Sequence, residues 1–199
     1  MNYQKQLEEV IVQNKNNRKT LLLHSCCAPC SSYVLEYLRE YFDITVFFYN
    51  PNISSSIEYE KRMQEEIRLI EAYNEQVRNG NFENMNSTRK AGLIQIIEAE
   101  YEPSKFYEAV KGYEDLGEGS IRCRKCFELR LGESAKVAKN RGFDYFTTTL
   151  TISPLKNAEW LNEIGAFWGE KEGILFLPSD FKKKDGYKRS IQLSKDFDL

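Results

Sequence analysis

The sequence predicts an α/β protein with a parallel sheet covered by helices on both faces. Two observations carry this. Short apolar runs, rich in β-branched and aromatic residues, alternate with longer stretches of helical periodicity, the pattern of strand–helix–strand crossovers. The 199 residues, 41% of them hydrophobic, suffice for one compact core. No repeat or low-complexity segment divides them, so residues 1–199 are read as one domain.

Residues 1–18 are polar and read as a leading helix or arm. Thr20 to Leu23 is a buried strand that runs straight into a cysteine motif. Val34, Leu35 and Leu38 recur at helical spacing over Ser31 to Tyr41. Ile44 to Tyr49 is a second strand, stopped by Asn50-Pro51-Asn52. Ser54 to Ser56 can cap a long helix whose apolar stripe is Met63, Ile67, Ile70 and Val77, a stripe more often core packing than a cofactor box. The Asn-rich stretch Arg78 to Thr88 is a loop. Leu93 to Ile97 is a third strand, and Pro103 opens a helix through Tyr113. After the Gly117–Ser120 turn, Phe127, Leu131, Ala135 and Ala138 mark a helix that starts near a second cysteine pair and ends at Gly142. Tyr145 to Leu150 is a fourth strand. Trp160, Leu161, Ile164, Phe167 and Trp168 lie on the next helix, Ile174 to Leu177 is a fifth strand, and a last helix begins near Tyr187.

Such a Rossmann-like sheet binds its ligands at the carboxyl ends of the strands, near the switch in strand order. The first cysteine motif directly follows the first strand, so it is expected there.

Charge is unevenly spread. The chain is nearly neutral, at −2. Ile57 to Glu118 holds 14 acidic and 8 basic residues, whereas Ser120 to Gly142 and Lys182 to Lys195 each carry a net +5. Each basic block alone reads as a solvated helix face; two of them flanking a cysteine site suggest a polyanionic partner. Met1 to Arg18 has no apolar leader, and no stretch approaches the length of a membrane span, so a cytoplasmic protein with reduced thiols is expected. The Asn-x-Ser/Thr matches at Asn52 and Asn86 carry little weight in that setting.

All five cysteines fall in two clusters, Cys26, Cys27 and Cys30 in HSCCAPC, and Cys123 and Cys126 in RCRKC. Scattered buried cysteines would not group in this way. Cys123 and Cys126, three apart at a helix start and flanked by Arg122, Arg124 and Lys125, can face one metal or cluster as thiolates. Zinc is one reading, although the two groups lie much farther apart than in a zinc finger and adjacent Cys26 and Cys27 sit awkwardly around one tetrahedral ion. A 4Fe–4S cube spreads its ligands over four irons and suits neighbouring cysteines better. Dithiol chemistry at Cys27-Ala28-Pro29-Cys30 is a third reading, which leaves the other three cysteines unused. A phosphate loop is disfavoured because no glycine lies between His24 and Ser32. His24, the only histidine, rules out a multi-histidine metal site and reads first as a structural hydrogen-bonder.

Several segments together resemble the QueH-type, cobalamin-independent epoxyqueuosine reductases. They are LLLHSCCAPCS (21–31), FYNPNI (48–53), EYEP (100–103), GEGSIRCRKCFELRL (117–131), FTTTLTISP (146–154) and LPSDFKKKDGYKRSIQLS (177–194), in order along nearly the whole chain. The resemblance implies a fold related to the adenine-nucleotide α-hydrolases, with the cysteine motif in place of their phosphate loop. It implies a 4Fe–4S cluster on Cys26, Cys27, Cys123 and Cys126, and an adjacent mononuclear iron with Cys30 as its candidate ligand. The implied reaction is reduction of the epoxide of epoxyqueuosine at the tRNA wobble position, with electrons from a donor the sequence does not identify. Two departures stand out. Many members continue into a further cysteine-containing tail, which is not present before Leu199, and Leu155 replaces an expected aromatic or histidine.

Removing an epoxide oxygen needs two electrons, two protons and activation of a C–O bond. Asp180, Tyr49 and Lys156 are the candidate proton donors, since they stand in the matching motifs at predicted strand ends. Each has a plainer role open to it: Asp180 as a cap, Tyr49 as core, Lys156 as a phosphate contact. An anticodon-loop base can be splayed out and stacked on aromatic or arginine planes, while the basic blocks neutralise the RNA backbone.

Overall fold

The computed structural model describes residues 1–87 and 90–199. Five strands form one all-parallel sheet: β1 (Lys19–Ser25), β2 (Phe42–Phe48), β3 (Gln95–Glu98), β4 (Tyr145–Thr148) and β5 (Leu175–Phe176). Their spatial order is β3-β2-β1-β4-β5. The chain winds outward from β1 to β3, then returns to the other side of β1 with β4. The strand order therefore switches between β1 and β4, which opens a crevice at their carboxyl ends. Leu21, Leu22 and Leu23 of β1 are fully buried, as a central strand covered on both faces requires.

On one face, α1 (Tyr3–Gln13), α2 (Ala28–Leu38), α3 (Ser56–Asn79) and α7 (Gly186–Asp196) cover Leu21, Leu23, Ile44 and Val46 through Leu7, Leu35, Leu69 and Tyr73, with Phe197 just past α7. On the other, α5 (Ile121–Asn140) and α6 (Ala158–Glu172) pack Ala135, Ala138, Trp168 and Leu161 over Leu22, Phe146 and Leu150. The short helix α4 (Pro103–Ala109) precedes α5. Among the described residues no helix is long and apolar enough to cross a membrane.

Several boundaries differ from the sequence expectation, each for a local reason. α2 begins at Ala28 rather than Ser31, because Pro29 sits in its first turn, where a missing N–H costs nothing. α3 starts where expected: Ser55 is its cap and accepts from the Glu58 N–H. β3 starts at Gln95, not Leu93, because the Asn74 side chain takes both backbone groups of Ile94. β4 ends at Thr148, not Leu150. There the Thr148 hydroxyl accepts from the Leu150 N–H at 3.1 Å and turns the chain into a 3-10 turn over Thr149–Ile152. The fifth strand shrinks to Leu175–Phe176, and α4 stops at Ala109 rather than Tyr113. Trp160, Leu161, Ile164, Phe167 and Trp168 do lie on α6, where Phe167 is turned to solvent, 59% exposed. The expected 78–88 loop begins later, since Arg78 and Asn79 still belong to α3; from Gly80 to Ser87 the chain is irregular, and Thr88 lies outside the described residues.

Candidate metal centre at the switch point

The loop between β1 and α2 brings Cys26, Cys27 and Cys30 together at the crevice. Their sulfur atoms all lie within 4.8 Å of one another. Cys27 caps α2, and Cys30 falls in its first turn, where amide dipoles favour negative sulfur. The Cys26 and Cys27 sulfurs are 3.8 Å apart, and all five cysteines are unbridged. No carboxylate or imidazole belongs to this group, so its donors are uniformly soft, as thiophilic metals prefer.

The three thiols share their protons unequally. Hydrogen bonds from Cys27 and Cys30 hold the Cys26 thiol well below its usual range, with help from the Arg130 charge and the Thr149 hydroxyl and against the effect of burial. Cys27 is pushed up to about 12, chiefly because its proton is committed to Cys26. Cys30 is raised as well, for the same first reason.

Cys123 and Cys126 lie in the first two turns of α5, both 9% exposed. Cys123 packs in one apolar cluster with Phe127, Leu150 and Cys26. The second pair thus borders the first motif, but its sulfurs are not part of the compact three-sulfur group.

Beneath the sulfurs lies a buried polar floor. Thr149 Oγ1 accepts from the Cys26 N–H at 3.3 Å and donates to its sulfur at 3.5 Å. His24 meets Thr148 Oγ1 at 2.8 Å through Nδ1, and Arg130 Nε donates to its Nε2 at 3.2 Å. Nε2 thus faces a donor, Arg130 Nε, and an acceptor, the Tyr49 carbonyl oxygen at 3.1 Å, and each neutral tautomer of the ring satisfies one of them. Burial, with the Arg130 charge second, lowers His24 to about 3, so the ring is neutral. Arg130 also donates to Asn50 Oδ1 at 2.6 Å, and Asn50 donates to Ser25 O at 2.9 Å. Arg130 is only 4% exposed, yet among the described residues no carboxylate lies within 4.0 Å of its guanidinium.

Tyr49 follows β2, stacks on Phe47 at 5.6 Å and is 3% exposed. Its carbonyl faces His24 Nε2 at 3.1 Å, and its hydroxyl has no partner among the described residues. Burial raises it to about 12, so it stays a proton-bearing phenol. Asp180 is nearly buried and pairs with Lys182 at 2.8 Å. Lys156 forms an ion pair with Glu118 at 2.5 Å. Among the described residues no hydrogen bond joins either of them directly to a cysteine; the two chain neighbours of Asp180, Ser179 and Phe181, both meet Thr151 Oγ1, at 3.0 and 3.4 Å.

Sequence reasoning missed Asn50, Arg130, Thr148, Thr149 and Glu66. Arg130 was findable, since it lies four residues after Cys126 and therefore on the same helix face. Glu66 is a lone acid in the apolar stripe of α3, fully buried, with its carboxyl raised to about 7 by burial. Ser31 and Ser25, hydrogen-bonded to each other at 2.7 Å, stand close enough to soften that shift without hydrogen-bonding geometry to the acid.

Beside Cys30 opens a cavity of about 670 Å³, walled by Pro29, Ile152, Pro154, Leu155, Tyr187 and Ile191. It is the size of a small-molecule site and mostly apolar, with the cysteine at its edge.

A doubly wound sheet that carries clustered thiols at its switch point, where related folds bind phosphate, defines an α/β thiol protein equipped for metal or redox chemistry. The family model described as epoxyqueuosine reductase QueH matches residues 21–199. The chain belongs to that family. It is 42% identical over 204 residues to epoxyqueuosine reductase QueH of Staphylococcus aureus, covering 100% of this chain and 79% of the relative. The Staphylococcus epidermidis protein of the same name is 40% identical, with coverage of 100% and 80%. That of Thermotoga maritima is 37% identical over 180 residues, covering 90% of this chain and 84% of the relative.

Proposed function

We propose that this protein reduces the epoxide of epoxyqueuosine at the tRNA wobble position, giving queuosine, and that it does so in the cytoplasm. The observation that carries the reading is the match of residues 21–199 to the epoxyqueuosine reductase family, with three thiols converged at the switch point. Two electrons and two protons convert the epoxide to an alkene, and its oxygen leaves as water.

The donor set suits a 4Fe–4S cluster on Cys26, Cys27, Cys123 and Cys126: the sulfurs are soft and shielded, and a buried cation stands beside them. Such a cluster would supply electrons one at a time. Cys30 borders the cavity and is the candidate ligand of an adjacent iron. The apolar cavity would hold the extruded base against Tyr187 and keep water from the reacting carbon atoms. Tyr49, proton-bearing and without a hydroxyl partner among the described residues, is the candidate proton donor on the His24 side of the centre, outside the lining of this cavity. Asp180 and Lys156 already hold ion partners and would order the surrounding loops.

The test is iron and sulfide analysis on protein purified without oxygen, followed by single-turnover reduction of epoxyqueuosine-containing tRNA. About four irons and four sulfides, with or without an extra iron, and formation of queuosine support the reading. Stoichiometric zinc without sulfide, or iron-loaded protein that leaves the epoxide intact with a strong reductant, overturns it.

A further inference from the structure

We propose that Arg130 is the internal counter-cation of the thiolate centre, a positioning residue that raises the centre's reduction potential. The inference rests on the cluster reading above and adds a residue that acts through charge rather than by ligation.

The geometry comes from one helix face. Cys123, Cys126 and Arg130 stand three and four residues apart on α5, so all three side chains project toward the crevice. The guanidinium is nearly sealed from water, and its hydrogen-bond partners, His24 and Asn50, are both neutral. A buried cation with neutral partners alone is expensive, by several kcal/mol after relaxation. Arg39, also buried, shows how the chain meets this cost elsewhere. Arg39 lies over the rings of Tyr73 and Phe82 at 4.3 and 5.5 Å, with Glu36 and Glu40 near enough to favour its charge. Among the described residues Arg130 has no aromatic ring beneath it and no carboxylate within 4.0 Å; it is held on His24, two residues before Cys26, and lies on the helix face of Cys123 and Cys126.

A cluster ligated by four thiolates carries net negative charge, and each added electron deepens it. A fixed positive charge in the same dry pocket therefore favours the reduced form. His24 and Asn50 hold the guanidinium in place, and the neutral imidazole leaves its charge undiminished.

The experiment is spectroelectrochemical titration of anaerobic, cluster-loaded protein as wild type, Arg130→Gln, Arg130→Lys and Asn50→Asp. Arg130→Gln is expected to shift the midpoint to more negative potential. Asn50→Asp is expected to do the same with nearly unchanged volume, because it sets a carboxylate against the guanidinium. Arg130→Lys keeps the charge and is expected to stay near wild type. If Arg130→Gln does not fold or load, the other two variants decide the matter. Potentials unmoved in Arg130→Gln and Asn50→Asp overturn the inference while leaving the reductase reading intact. A wild type without an iron–sulfur chromophore overturns that reading itself, and this inference with it.

Discussion

Arg189 grips Glu36 with both prongs of its guanidinium, at 2.6 and 3.0 Å, and so fastens α7 to α2. Glu36 is 1% exposed and also accepts from the Asn86 N–H at 2.9 Å. Removing one partner of a buried pair leaves the other uncompensated, at a cost of about 3–5 kcal/mol. Glu36→Gln should lower stability by that order in urea unfolding. Arg189→Lys should cost less but still measurably, since an ammonium cannot reproduce the two-pronged contact. A Glu36→Gln protein with the wild-type midpoint would show that the pair contributes nothing.

The same helix has a steric lock at its first residue. A Cβ on Gly186 would collide with the Phe181 carbonyl oxygen and come within 2.5 Å of the Tyr33 ring. Backbone cannot yield as a flexible side chain can. Gly186→Ala should cost about 1–3 kcal/mol through overpacking. Limited proteolysis should then cut sooner within residues 182–199 than in the wild type; equal cutting rates refute the prediction.

Glu66 predicts a pH dependence of definite sign. Burial raises its carboxyl from 4.5 to about 7, so the folded state binds more protons than the unfolded state between those values. This contribution is fully present below about 4.5 and is lost as pH rises toward 7, by an amount on the order of 3 kcal/mol. Thermal unfolding of Glu66→Gln across that range should be flatter with pH than that of the wild type. Parallel curves would mean that Glu66 titrates normally.

Thr149 supports Cys26 through both its amide and its sulfur. In iron-loaded protein, Thr149→Val keeps the volume and removes both hydrogen bonds, so release of iron to a chelator should accelerate several-fold. Thr149→Ser should stay close to wild type. If valine and serine variants release iron at the same rate, the hydroxyl is not what matters.

Many cations of the two basic blocks are committed to ion pairs, with acids of the same block for Arg124, Lys125 and Lys136 and with acids outside it for Lys182, Lys184 and Arg189. Lys183, Lys188 and Lys195 are exposed and have no ion pair among the described residues; Lys195 lines the cavity beside Cys30. Each RNA phosphate that is no longer neutralised should reduce the slope of log affinity against log salt by about 0.7–0.9. Replacing these three lysines by alanine should therefore flatten the salt dependence of tRNA binding more than replacing Arg124, Lys125 and Lys136. The reverse ranking would move the RNA to the α5 side.

The order of elements and the two cysteine clusters were legible because they depend on local pattern: apolar runs, capping residues and clustered thiols. What escaped was decided by side chains acting over long range or against the backbone. Tyr145 to Leu150 reads as one strand, and only the Thr148 hydroxyl turning back on Leu150 N ends it early. Ile94 reads as strand, yet Asn74, twenty residues earlier, takes its hydrogen bonds. Arg130 and Glu66 look like ordinary charges on amphipathic helices, because whether a polar residue in a stripe is solvated or sealed depends on packing across the sheet. The sulfurs of the second cysteine pair likewise could be named from sequence but not positioned.

The threonine run after β4 has a mechanical consequence. Thr147 holds the Leu177 carbonyl, Thr148 the imidazole, Thr149 the Cys26 sulfur and Thr151 the Ser179 hydroxyl. Five successive residues thus couple the outer rim of the sheet to its chemical centre, like the crank of a short lever. Ser179 and Asp180 are themselves buried, so a displacement of that loop would have a single turn of hydrogen-bonded chain between it and the Cys26 sulfur.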